Sequence, residues 1–89
     1  GDTEGVVNYA LSLAGINFAA IFMEIDGAIK ISFRSVGDFS VANFSNNHFN
    51  GGGHKNAAGG SIEDSLENVE KQFLALLPTY KKEIINSDK

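Results

Sequence analysis

The sequence predicts an α+β domain: a small mixed sheet that contains a β-hairpin, with helices packed on it. Two observations carry this. An apolar run over residues 16–25, an Asp26-Gly27 pair and an alternating run over residues 28–36 follow one another directly. Near the C-terminus, Leu66, Val69, Phe73, Leu76 and Leu77 recur at helical spacing, with Glu67, Glu70 and Lys71 between them. The 89 residues are enough for one core, and seven Phe are available to fill it.

Taken in order, "TEGVVNYALSLAG" reads as a short helix. Thr3 is its candidate N-cap, Val6, Ala10 and Leu13 lie along one side, and Gly15 stops it. In "INFAAIFMEI", Ile16, Phe18, Ala20 and Phe22 fall on one face and Ala19, Ile21, Met23 and Ile25 on the other, which predicts a strand buried on both faces. Asp26-Gly27 suits a two-residue type I′ turn, in which both central residues need positive φ. In the return strand "AIKISFRSV", Ile29, Ile31 and Phe33 point one way and Lys30, Ser32 and Arg34 the other.

Asp38 or Ser40 can cap a short helix carrying Val41 and Phe44, with Asn46, Asn47 and His48 as its frayed end. The segment "HKNAA" is long enough for one helical turn closed by Gly59 or Gly60, and "GGSIE" reads as a short strand or an edge. The last helix starts at Ser65, or at Ser61 with Asp64 in a capping box, and Pro78 ends or kinks it. The tail from Lys81 reads as frayed. Residues 1–2 are assigned to a linker, 3–86 to the domain and 87–89 to a tail.

The net charge is −4, and no basic stripe is visible. That excludes the broad electrostatic groove of a non-specific nucleic-acid binder. A phosphate would be met at one small site. No apolar run is long enough to span a membrane. With no cysteine, disulfides and Cys-zinc sites are excluded, which suits a cytoplasmic location.

The chemistry concentrates in "FNGGGHKNAAGG". Gly51, Gly52, Gly53, Gly59 and Gly60 are five of the ten glycines. Successive residues without Cβ let the backbone approach a ligand and let N–H groups converge on an anion. A helical turn from His54 would add a positive dipole end, and His54 and Lys55 would add donors. The missing Gly-Lys-Ser/Thr pairing excludes a P-loop. The residues leave an anion cradle and a purely structural loop both open. Arg34 is either a surface arginine or, at a strand end, a fork for bidentate phosphate contact. His48 has no partner in its polar run, so a solvated or helix-terminal role is favoured over a functional one. The spacing of the two histidines matches no zinc motif.

Together "TEGVVNY", "ISFRSVG" and "FNGGGHKNAAGGS" resemble the DHHA1 domain, the C-terminal substrate-binding domain of DHH phosphoesterases, over nearly the whole chain. The similarity is to the bacterial oligoribonuclease (nanoRNase) and 3′-phosphoadenosine 5′-phosphate phosphatase group. The resemblance implies that Gly51, Gly52, Gly53 and His54 line the substrate cleft and that Arg34 and Ser35 contact phosphate. Lys55 and Asn56 continue the motif as substrate-binding candidates. It also implies a partner, the N-terminal DHH domain of the same parent chain, which holds the divalent metals (manganese or magnesium). The substrate is then a short single-stranded oligonucleotide or a nucleotide phosphate. Asp2, Asp26, Asp38 and Asp64 lack the clustering of the family's metal ligands. This domain is therefore expected to bind no metal, to contribute no catalytic residue and to be inactive alone. Alternatives are a tRNA-serving module of the alanyl-tRNA synthetase type, a free-standing nucleotide-binding module and a structural domain without ligand.

Overall fold

The computed structural model describes residues 3–13 and 16–87. The chain forms β1 (Thr3–Leu13), β2 (Ile16–Ile25), β3 (Ala28–Val36), α1 (Val41–His48), β4 (Gly52–His54), β5 (Ala57–Ile62) and α2 (Leu66–Ser87). The strands make one sheet in the order β1-β2-β3-β5-β4, antiparallel throughout rather than mixed. The α+β class holds, with both helices contributing to a core on one face of that sheet.

That face is aromatic. Phe18 and Phe22 of β2 and Phe33 of β3 meet Phe44 of α1 and Phe73 of α2. The Phe73 ring lies 5.1 Å from Phe22 and 6.1 Å from Phe44, so one side chain joins the sheet to both helices. Such pairs contribute about 0.5–1.5 kcal/mol each beyond their buried area. Tyr80 closes the layer, with its ring 4.9 Å from Phe44 and its hydroxyl 2.7 Å from His48 Nε2. His48 is thus helix-terminal but half-buried and paired, not solvated.

Several expectations hold. Asp26 and Gly27 have φ of 49° and 82°, as a type I′ turn requires. β3 alternates buried and exposed as its sequence does. Ser40, rather than Asp38, caps α1 through its hydroxyl and the Asn43 N–H. Ser65 caps α2 through the Asn68 N–H.

Four are corrected. The first segment is a strand and not a helix. Val7 and Tyr9 turn toward the core while Val6, Asn8 and Ala10 face outward, and the β-branched and aromatic residues fit that surface. The proposed helix stop, Gly15, lies outside the described residues. β2 is buried on one face only, because both helices cover the same side: Phe18, Ala20 and Phe22 are inside, whereas Ile21 is 40 % exposed. "HKNAA" is no helical turn but the tip of a β4–β5 hairpin, with Lys55 and Asn56 at the turn. Its β5 arm satisfies the second edge of β3, a tertiary demand that local spacing does not reveal. Finally, α2 does not end at Pro78 but continues to Ser87. The ring frees the carbonyl four residues back, and Leu74 and Pro78 are both exposed, where water can take up that bond.

Candidate functional site on the open sheet face

In an antiparallel sheet, directly paired residues point to the same side. The register therefore defines transverse rows on the uncovered face. One row reads Ala10, Ala19, Arg34, Ala57, His54. The next reads Asn8, Ile21, Ser32, Gly59, Gly52, and a third reads Val6, Met23, Lys30, Ser61. Arg34 and His54 are both exposed, with only the small Ala57 between them. Two strand spacings separate them, about 10 Å.

These rows carry Arg34, Lys30 and His54 and no carboxylate. In a chain of net charge −4, these three adjacent rows carry basic side chains and no acidic one. The Lys55–Asp38 and Lys71–Glu67 ion pairs do not involve Arg34, whose side chain is exposed.

The glycines divide by face. A Cβ on Gly51 would lie 1.7 Å from the Gly59 carbonyl oxygen and 2.5 Å from Ser45 Oγ. Gly53 has φ 149°, and a Cβ there would lie 2.6 Å from the Ala57 carbonyl oxygen. These two are demanded by the fold. They let the hairpin close and lie against α1, where buried Ser45 donates to the Gly59 carbonyl at 2.6 Å. Gly52 is different: a Cβ there would meet nothing within 4 Å, and its φ is not positive. The fold gives no reason for its missing side chain. Gly52 sits on the open face, diagonal to Arg34 and two residues from His54.

The remaining motif residues brace this surface. Ser35 is buried; its hydroxyl donates to the Phe39 carbonyl at 2.9 Å and accepts from Asn56 Nδ2 at 2.9 Å. Asn56 Nδ2 also reaches the Gly37 carbonyl, and the Asn56 carbonyl accepts the Ser35 N–H at 3.0 Å. Lys55 Nζ is paired with Asp38 at 3.0 Å, and its carbonyl accepts the Val41 N–H at 2.8 Å. The turn is thereby pinned to the end of β3 and to the start of α1. Gly51, Gly53, Ser35, Lys55 and Asn56 hold the geometry, while Arg34, Gly52 and His54 face outward.

Sequence reasoning did not single out Ser45 or the face contributed by β1. Beside Arg34 the structure has a cavity of about 380 Å³ lined by Ala10, Asn17, Phe18, Ala19, Arg34, Ser35 and Val36. The alternation of β1 was the signal that could have found it. The described residues hold no group of three or more His, Asp or Glu side chains able to take a metal ion. Among them, no helix is long and apolar enough to cross a membrane.

Comparison with known proteins places the chain in a family. Residues 1–83 match the DHHA1 domain family. The chain is a DHHA1 domain. A 3′,5′-cyclic-nucleotide phosphodiesterase of Helicobacter pylori is 32 % identical to it, with 74 % of this chain and 22 % of that protein covered. The crystal structure of an exopolyphosphatase-related protein from Bacteroides fragilis superposes with a TM-score of 0.71 at 40 % identity. That match covers 75 % of the DHHA1 domain and 20 % of the other chain. The DHHA1 domain spans about a fifth of the length of both relatives.

Proposed function

We propose that this DHHA1 domain is the substrate-binding part of a DHH-family phosphoesterase that hydrolyses short oligonucleotides or nucleotide phosphates such as 3′-phosphoadenosine 5′-phosphate. The observation that carries the reading is the placement of Arg34 and His54 in one transverse row, among rows without a carboxylate, across a floor of Ala57, Gly59 and Gly52. The floor lets a phosphate approach the sheet closely, and Arg34 and His54 supply donors from either side. The two relatives are named for a cyclic nucleotide and for polyphosphate, both phosphate-bearing molecules.

The resemblance assigns the divalent metals, manganese or magnesium, to an N-terminal DHH domain, where they supply hydrolytic chemistry. The role of this domain is to bind and orient. Its donors gain value as charge develops on the phosphoryl oxygens. The domain alone is then inactive. The test is turnover of the parent phosphoesterase carrying His54→Ala. The rate per folded molecule should fall about a hundredfold with the melting temperature unchanged. A full rate in the folded variant would refute the reading.

A further inference from the structure

The cavity beside Arg34 has a chemistry of its own. Five of its seven lining residues, Ala10, Asn17, Ala19, Arg34 and Val36, project from the open face. Ala10 and Ala19 form a floor in the same transverse row as Arg34 and His54. Val36, 61 % exposed, stands as an apolar wall at one end. Asn17 is exposed, and its amide makes no hydrogen bond with a described residue. The volume of about 380 Å³ falls in the range of small-ligand sites, which combine apolar walls with few polar groups.

We infer that this cavity receives the base of a nucleotide whose phosphate lies between Arg34 and His54, with Asn17 reading the edge of the ring. The inference rests on the phosphate reading above and adds a ring subsite and a specificity residue to it. A planar, largely apolar ring gains from a floor of two alanine methyls and a valine wall. A primary amide offers a donor and an acceptor together, the pair that a base edge requires. A chain of inorganic phosphate has no apolar surface to place there and gains nothing from the cavity. Arg34, which both lines the cavity and stands in the row with His54, links the two subsites.

The test is an NMR titration of the ¹⁵N-labelled chain with adenosine 5′-monophosphate and, separately, inorganic triphosphate. Adenosine 5′-monophosphate should shift the Asn17 side-chain amide and the Ala19 and Val36 backbone amides together with Gly52 and His54. Triphosphate should shift only the Gly52–His54 and Arg34 signals. Asn17→Ala should weaken the nucleotide about tenfold and leave triphosphate unchanged. Ala19→Leu, which fills the floor from the exposed side, should do the same with the rest of the spectrum preserved. Identical shift patterns for the two probes, with nucleotide affinity untouched by either variant, would overturn the base subsite and leave the phosphate reading standing. Nucleotide shifts confined to the cavity, with triphosphate silent, would overturn the phosphate reading and with it the linked site. Silence of both probes at millimolar concentration would overturn both.

Discussion

Arg34 and His54 lie on one transverse row of the sheet, on either side of Ala57, although nineteen residues, including a helix, lie between them in the chain. The register of β5 against both β3 and β4 sets this relationship. Two exposed donors thereby face the same solvent volume, and neither has work to do in the fold.

Surface position and ligand role make a first prediction. Arg34→Lys and Arg34→Ala should each change stability by less than about 0.5 kcal/mol, since the side chain is exposed and unpaired. Their affinities for a phosphate ester should both fall. Lysine should recover only part of the loss, because a point charge cannot replace the planar fork. Calorimetric titration alongside thermal melts measures both quantities, and a lysine variant as tight as wild type would remove bidentate contact from the account.

Adjacent glycines should behave oppositely. Gly51→Ala drives a methyl into the Gly59 carbonyl and should cost about 3 kcal/mol or more. Gly52→Ala meets open space and should leave stability within about 0.5 kcal/mol of wild type. Because that methyl stands on the open face, it should still weaken phosphate binding. Denaturant unfolding separates the pair, and binding by Gly52→Ala at wild-type strength would show that no ligand comes close to the strand there.

These contrasts also mark how far the sequence could be read. The Asp26-Gly27 turn, the alternation of β3 and the Ser40 and Ser65 caps are local devices, and each was legible. β1 was not, because Val6 and Ala10 satisfy helical spacing as well as strand alternation, and the inward Val7 and Tyr9 are only half-buried. The β4–β5 hairpin was hidden for another reason. Its glycines and alanines have low strand propensity, and it is held by the Ser45 hydroxyl and by pairing with β3. The outward position of Arg34 followed from β3 alone. That His54 shares its face could not be known without the hairpin, and the cavity floor depends on the misread β1.

The bracing residues lead to a third prediction. Asn56→Ala removes the donor to Ser35 Oγ and the Gly37 carbonyl and should cost about 1–3 kcal/mol, with loosened exchange protection at the β4–β5 turn. Lys55→Ala removes an ion pair between two exposed side chains and should cost no more than about 1 kcal/mol. Equal costs for the two variants would mean that the turn is held electrostatically and not by the Asn56 amide.

The last prediction concerns pH and the start of α2. Asp64 Oδ1 accepts from the Asn68 side-chain amide at 2.9 Å and from the Ser65 N–H at 2.7 Å. These bonds favour the carboxylate, the Asn68 contact most, and lower its pKa below the ordinary 3.8. A carboxyl depressed in the folded state adds stability that is fully present above its unfolded value. That contribution is lost as pH falls from the unfolded value through the folded one. The window therefore lies at and below pH 3.8, and the effect should be absent at neutral pH. Carbon-detected NMR titration should place the Asp64 midpoint below those of exposed aspartates. Asn68→Ala should raise that midpoint and reduce the acid dependence of stability in the same window. An Asp64 midpoint unmoved by Asn68→Ala would assign the shift to the Ser65 N–H and the helix N-terminus instead.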